Sequence, residues 1–362
     1  MSTVLIAGGG TGGHLMPALA LAAELRRQRP DLEPVLVGAE RGIERTLLPT
    51  REFRHVLLPA EPLYRRQWWK NWRWPLLAGR LMGEVGRLLD AERPVAVLGT
   101  GGYASAPVVF LAARRGIPTA IQEQNAFPGL ATRLLSRRVR HVYLGVPEAA
   151  RHLRTGRETT VFDTGNPVSP PDPERAEAAR RRFGLHGDRP VVLVTGGSQG
   201  AVAINEATAG WLAAGGGVGL TVLWTTGKGS YERFRSFERR PDVEVFDFLD
   251  PIADAFAVAD LVVGRAGMMT CAGLCAWGLP SILVPLPTAA ADHQTGNART
   301  LEASGAARVL PQSALTPESL GEQVTALIGD LEGRRAMAAA ARGRGRPTAS
   351  ADIVSRLLTL LG

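Results

Sequence analysis

The chain has 362 residues, is 45% apolar and 21% charged, and carries a formal net charge of +8. That is enough material for two domains with separate cores. Its two cysteines, Cys271 and Cys275, stand four apart on one predicted helix face and read as buried free thiols, which excludes a disulfide-stapled framework. The longest apolar runs, such as residues 106–113, are far too short to span a bilayer, and Met1–Ile6 lacks the basic start of a signal peptide. A cytoplasmic protein is expected.

In chain order, the first half alternates short apolar strands (3–7, 34–38, 95–98, 118–121, 141–144) with amphipathic helices (17–28, 78–91, 129–137). The first strand runs straight into Gly8-Gly9-Gly10-Thr11-Gly12-Gly13-His14. A strand, a turn poor in side chains and then a helix make an anion cradle, because free N–H groups and the positive end of the helix dipole point outward there. Gly8-x-Gly10-x-x-Gly13 also matches the dinucleotide fingerprint, with Glu40 after the second strand where a ribose-binding acid could sit. Next comes Tyr64–Leu77, holding Trp68, Trp69, Trp72 and Trp74, four of the seven tryptophans, among four basic residues. Such a patch suits a lipid headgroup region with anionic lipid. A core corner ringed by solvated arginines, or stacking on single-stranded nucleic acid, are alternative readings of it.

Gly165-Asn166-Pro167-Val168-Ser169-Pro170-Pro171-Asp172-Pro173 is rich in turn formers and reads as the interdomain linker. The second half repeats the alternation, with strands near 191–195, 220–225, 243–246, 261–263 and 281–284 and a closing helix near 350–361. After Val191–Thr195 stands a second cradle, Gly196-Gly197-Ser198-Gln199-Gly200-Ala201. Charge divides the halves: residues 1–165 hold 23 Lys+Arg against 14 Asp+Glu, and residues 166–362 hold 19 against 20. The basic half implies an anionic partner, whether membrane surface, phosphorylated substrate or nucleic acid.

Strand–helix alternation with a glycine cradle in each half predicts an α/β chain of two doubly wound, Rossmann-like domains facing a central cleft, with ligand at the carboxyl ends of the strands. The expected bounds are 1–165, 166–345, and a terminal helix at 346–362 that packs back on the first domain.

Several motifs in order resemble the MurG family of peptidoglycan glycosyltransferases, which have the GT-B fold (family 28). They are Gly9-Gly10-Thr11-Gly12-Gly13-His14-Leu15-Met16-Pro17, Gly101-Gly102-Tyr103-Ala104-Ser105-Ala106-Pro107, Glu123-Gln124-Asn125 with Gly129-Leu130, Thr164–Val168, Gly196–Ala201, Arg265-Ala266-Gly267 with Thr270, and Asp292-His293-Gln294 with Asn297-Ala298. The resemblance spans about residues 4–310. It implies an inverting, metal- and cofactor-independent transfer of N-acetylglucosamine from UDP to lipid I, giving lipid II. It further implies His14 as the catalytic base. Thr11, Gly12, Gly13, Asn125, Ser198, Leu249, Met268, Met269, Thr270 and Gln294 would bind UDP-GlcNAc, and Tyr103 and Glu123 the acceptor. The chemistry fits: a sugar hydroxyl needs a base as it attacks, and a departing diphosphate needs donors aimed at its growing charge. No Asp-x-Asp pair of metal-ligand character stands in the chain.

The resemblance places the enzyme on the cytoplasmic leaflet of the plasma membrane, with the tryptophan patch docked there, the undecaprenyl-linked acceptor as second substrate, other cell-wall synthesis proteins as further partners and no nucleic acid. Two positions depart from the family pattern. Ser169 stands where an arginine is usual after Gly-Asn-Pro-Val, and Gly273 where a glutamate grips the ribose hydroxyls. Arg265 is a candidate to compensate, and Gly273→Glu is expected to tighten UDP-GlcNAc binding. Another GT-B lipid glycosyltransferase and a non-catalytic sugar-nucleotide-binding paralogue are the alternative readings; an NAD oxidoreductase leaves the second cradle without a role.

Overall fold

The computed structural model of the chain describes residues 1–61, 74–185, 187–197, 200–289 and 292–362. They form two compact units. One is Met1–Val168 with Thr348–Gly362, the other Ser169–Pro347.

The first unit is a parallel sheet of seven strands: β1 (Ser2–Gly8), β2 (Leu32–Ala39), β3 (Arg54–Leu58), β4 (Ala96–Gly101), β5 (Thr119–Glu123), β6 (His141–Leu144) and β7 (Thr160–Asp163). Their spatial order is β3-β2-β1-β4-β5-β6-β7. Val4, Leu5, Ile6 and Ala7 of β1 are all buried, as a central strand covered by helices on both faces requires. On one face Leu5, Val35 and Val97 pack with Val85 and Leu89 of the helix Trp74–Glu92 and with Val108 and Val109 of the helix Ser105–Arg114.

The helix Gly12–Gln28 buries Leu15, Ala18, Leu21, Ala22 and Leu25, one apolar stripe at helical spacing. It starts five residues before the predicted 17, because Pro17 removes only one i→i−4 hydrogen bond and is carried inside the first turns. The terminal helix Ala349–Leu358 packs against it and buries Ile353, Val354 and Leu357. Gln28 Nε2 donates to Ala351 O (3.2 Å), and Ser355 Oγ donates to Gln28 Oε1 (3.2 Å).

Strands β3 and β7 lie beyond the strands that the apolar runs predict. Both are sheet edges, so polar residues such as Arg54, His55 and Asp163 stand in them and blur the apolar signal. Between β1 and β4 the register slips: Ala7 pairs with Gly99 and Gly8 with Gly101, leaving Thr100 as the extra residue of a bulge.

The second unit is a parallel sheet of six: β8 (Val191–Thr195), β9 (Thr221–Thr225), β10 (Val243–Phe246), β11 (Leu261–Gly264), β12 (Ser281–Leu283) and β13 (Arg308–Val309). Their order is β10-β9-β8-β11-β12-β13. Val192, Val194, Val222 and Val263 fill one face and Leu193, Leu223, Val262 and Leu283 the other. Within this core Trp224 Nε1 donates to Asn205 Oδ1 (3.0 Å), while Asn205 Nδ2 donates to Thr226 O (2.8 Å), so the buried amide is satisfied. In each unit the strand order reverses beside the strand that feeds a glycine turn, between β1 and β4 and between β8 and β11. Open α/β sheets bind ligands at the carboxyl ends of strands at such a switch point.

Candidate active site

In the first unit, the loops after β1, β4 and β5 gather at one switch point. Thr11 is the N-cap of the helix Gly12–Gln28, in extended conformation, with no hydrogen bond from its side chain to the cap. The N–H groups of Gly12 and Gly13 open the helix and have no i−4 carbonyl to meet, which is the geometry that favours an anion. His14 follows, half-buried. Its Nδ1 lies 3.2 Å from the Thr100 carbonyl oxygen. A carbonyl can only accept, so Nδ1 is the donor in this contact, and in the neutral imidazole that leaves Nε2 as the acceptor. The ring lies over Gly101, where a Cβ would come within 2.6 Å of Nδ1, and Gly101 has φ +98°. Glycine is required there on both counts.

Tyr103 packs its ring against Gly10, where a Cβ would meet Cε1 at 2.5 Å, and its hydroxyl donates to Arg41 O (2.7 Å). Glu123 is buried (3% exposed) and turns inward: Oε1 accepts from Asn125 N (3.1 Å) and Asn125 Nδ2 (3.2 Å), and Oε2 accepts from Gly129 N (3.1 Å). It holds the loop that carries Asn125.

Sequence reasoning missed Glu44. It is fully buried, and its Oε1 accepts the Gly10 N–H. Glu40, the acid the dinucleotide pattern pointed to, is exposed. A lone glutamate in Arg41-Gly42-Ile43-Glu44 gives no signal of its own; only the fold brings it 34 residues back to the turn.

In the second unit, Gly196–Ala201 links β8 to the helix Val202–Ala213, and Gly197 N donates to Thr195 Oγ1 (3.2 Å). Ser198 lies outside the described residues. Met268, Met269 and Thr270 form the half-buried first turn of the helix Met268–Trp277 after β11, with Gly267 as N-cap. Leu249, after β10, buries its side chain in the core (4% exposed), so only its main chain can meet a ligand. Gln294 is the second residue of the helix His293–Ala303, and its Oε1 accepts from Leu286 N (3.0 Å). Asn297 Nδ2 donates to Ala266 O (3.0 Å), joining that helix to the turn after β11.

The two departures also have places. Ser169 accepts from Trp277 Nε1 through its carbonyl (3.0 Å). Arg265 Nη1 donates to Val284 O (3.1 Å) and Pro285 O (3.3 Å), and burial holds the pKa of this guanidinium below its ordinary value. It is engaged with its own loops. Beside Gly273 the space is filled: a Cβ would come 3.0 Å from Phe256 Cε2.

Trp68, Trp69 and Trp72 lie outside the described residues, and Trp74 is the first residue of the helix Trp74–Glu92. Phe127, Leu130 and Leu134 are exposed apolar residues of the first unit, with the Arg133 guanidinium 5.3 Å from the Phe127 ring centre. Among the described residues no helix is long and apolar enough to cross a membrane.

Residues 4–144 match the glycosyltransferase family 28 N-terminal domain, and residues 191–356 the family 28 C-terminal domain. The chain therefore belongs to glycosyltransferase family 28, and its paired Rossmann-like units are those of a GT-B glycosyltransferase. It is similar to the UDP-N-acetylglucosamine--N-acetylmuramyl-(pentapeptide) pyrophosphoryl-undecaprenol N-acetylglucosamine transferase of Moorella thermoacetica, with 40% identity over 98% of each chain. The protein of the same name in Chlorobaculum parvum is 38% identical over 99% of each. Among solved structures, Acinetobacter baumannii MurG superposes with a TM-score of 0.70 at 28% identity, covering 99% of this chain and 100% of the other. Staphylococcus aureus MnaA with UDP shares the fold, with a TM-score of 0.69 at 15% identity over 99% and 98%.

Proposed function

We propose that the chain transfers N-acetylglucosamine from UDP-GlcNAc to the undecaprenyl-pyrophosphoryl-MurNAc-pentapeptide acceptor, lipid I, giving lipid II. The reading rests on the relatives' named activity, and the observation that carries it here is the placement of His14. Its Nδ1 is engaged by Thr100 O at 3.2 Å, which leaves Nε2 to act as the base beside the helix N-terminus. The acceptor hydroxyl oxygen attacks the anomeric carbon on the face opposite UDP. Its proton passes to His14 Nε2, the bond from the anomeric carbon to the β-phosphate oxygen breaks, and that electron pair leaves on UDP. Configuration inverts in one displacement.

Main-chain N–H groups of Gly12 and Gly13, together with Thr11 and Asn125, serve the sugar and phosphate end in the first unit. In the second, Ser198 in the Gly196–Ala201 segment takes the diphosphate, Leu249 offers its main chain to the base, and Met268, Met269, Thr270 and Gln294 line the nucleoside. Tyr103 and Glu123 shape the acceptor side by holding their loops. Such fixed donors stabilise charge where it grows, with no reorganisation at the moment of reaction.

The first unit docks on the cytoplasmic leaflet, where lipid I and other cell-wall synthesis proteins meet it. The supports are its excess of basic residues, the tryptophan-rich segment 64–77, and exposed Phe127, Leu130 and Leu134 beside Arg133, Arg137 and Arg138. The test is incubation with labelled UDP-GlcNAc and a short-chain lipid I analogue. Label in the lipid product is expected; donor binding without transfer would favour the non-catalytic paralogue instead.

A further inference from the structure

The bulge at Thr100 frees a residue from the sheet, and its groups are taken up by side chains around His14. Thr100 Oγ1 donates to the His14 carbonyl oxygen (2.8 Å), and the Thr100 carbonyl accepts from His14 Nδ1 (3.2 Å). The histidine is gripped at its main chain and its ring by one residue. That same carbonyl accepts a second, shorter bond, from Gln124 Nε2 (2.6 Å). Gln124 is buried (3% exposed). Its Nε2 also donates to Gln122 Oε1 (2.6 Å), Gln122 Nε2 donates to Asn166 Oδ1 (3.0 Å), and Asn166 Nδ2 donates back to Gln124 O (3.1 Å). Gln122 and Asn166 are buried at 1% and 3% exposure. Gly145 leaves room for the Asn166 amide, since a Cβ there would lie 2.2 Å from Oδ1.

We propose that Gln124 is a positioning residue for His14: it fixes the free carbonyl of the Thr100 bulge so that His14 Nδ1 stays protonated and engaged, and Asn166, in the turn that leaves the first unit, anchors Gln124 in turn. A bulge carbonyl released from its ladder has two lone pairs and freedom to turn. With one lone pair held by a buried amide that is itself held at both ends, the other stays aimed at the imidazole. The tautomer with Nε2 unprotonated is then the stable one. A closed polar ring of this kind is rigid when every member is satisfied. The proposal rests on His14 being the base only for its effect on rate; the tautomer it predicts is argued from the geometry alone.

The experiment uses the full chain with ¹⁵N-histidine labelling, His14 being assigned by its loss in His14→Gln. Long-range ¹H–¹⁵N correlation in the unmodified protein is expected to show the Nδ1–H tautomer for His14. In Gln124→Met a mixture of both tautomers is expected, with kcat lowered roughly ten- to a hundredfold and KM for UDP-GlcNAc within about twofold. Asn166→Asp keeps the acceptor for Gln122 and loses the donor to Gln124 O; it is expected to shift tautomer and kcat in the same direction by less, and it replaces Gln124→Met should that variant not fold. An Nε2–H tautomer in the unmodified protein overturns the proposal. So does a variant that melts earlier but keeps both the tautomer and kcat, since that marks Gln124 as structural only. Full activity in His14→Ala would remove the base and leave the tautomer result to judge the positioning by itself.

Discussion

Glu44 and Gly10 are joined by a hydrogen bond from the Gly10 N–H to a carboxylate oxygen that has no exposure to solvent. The same oxygen lies 3.5 Å from the Ala39 N–H, and the second carboxylate oxygen, Oε2, is buried with no hydrogen-bond partner among the described residues. One acidic side chain thus sets the shape of the turn that presents Thr11 and His14. An intramolecular hydrogen bond contributes about 0.5–1.5 kcal/mol, and deleting a buried side chain adds a cavity. Glu44→Ala is expected to destabilise the protein by about 2–4 kcal/mol, read by denaturant unfolding. Glu44→Gln keeps one acceptor for Gly10 and is expected to cost about 1 kcal/mol.

Gly273 and Phe256 occupy one another's space. The Gly273→Glu exchange that the family pattern suggests must push a Cβ against the Phe256 ring at 3.0 Å, and that ring is itself packed on Trp277 at 6.2 Å between centroids. Overpacking against this buried ring costs typically 1–3 kcal/mol, set against a gain of about 1 from replacing a helical glycine. Gly273→Glu alone is therefore expected to lower Tm and to leave UDP-GlcNAc affinity unimproved. Gly273→Glu with Phe256→Leu is expected to recover Tm and bind the donor more tightly by calorimetry. Equal affinity in the double variant and the unmodified protein would remove the ribose role from this position.

What the sequence disclosed was local. Val4–Ala7 and Val191–Thr195 followed by glycines read as strand, turn and helix because each signal lies within a dozen residues. His14 stood out for the same reason. The partners that define its chemistry did not: Thr100 is 86 residues away and is freed by a register slip no pattern announces. Gln124 and Asn166 lay inside recognised motifs, yet their link, 42 residues apart, is a product of the β5–β6 side of the sheet. The edge strands β3 and β7 and the two-residue β13 were hidden by short length and polar residues. Gly273 was visible as a departure, but Phe256 as its neighbour was not.

His141 provides a pH dependence. Its ring lies edge-on to Phe162 at 4.9 Å and its Nδ1 is 3.0 Å from the Tyr143 hydroxyl. Burial, and secondarily the charge of Arg356, hold its pKa below the ordinary 6.5. The unfolded chain therefore takes up this proton first as pH falls. The stabilisation is complete above the unfolded pKa and is lost as pH drops through about 6.5 toward the lower folded value. Tm is expected to decline between about pH 7 and pH 5, and less steeply in His141→Gln.

Cys271 and Cys275 are both buried and unpaired with one another. Burial pushes the Cys275 thiol up to about 11 and Cys271 higher still, so neither offers thiolate near neutral pH. Intact-mass measurement after iodoacetamide at pH 8 is expected to find the native protein unmodified for hours and doubly alkylated in denaturant. Prompt modification of the native protein would contradict the burial.

The central claim is that His14 Nε2 takes the acceptor's proton, and the kinetics of His14→Ala test it most directly. With labelled UDP-GlcNAc and a short-chain lipid I analogue, the account predicts that His14→Ala loses about 10²–10⁴-fold in kcat, with UDP-GlcNAc affinity and Tm close to those of the unmodified protein. A variant that keeps its full kcat would contradict the assignment.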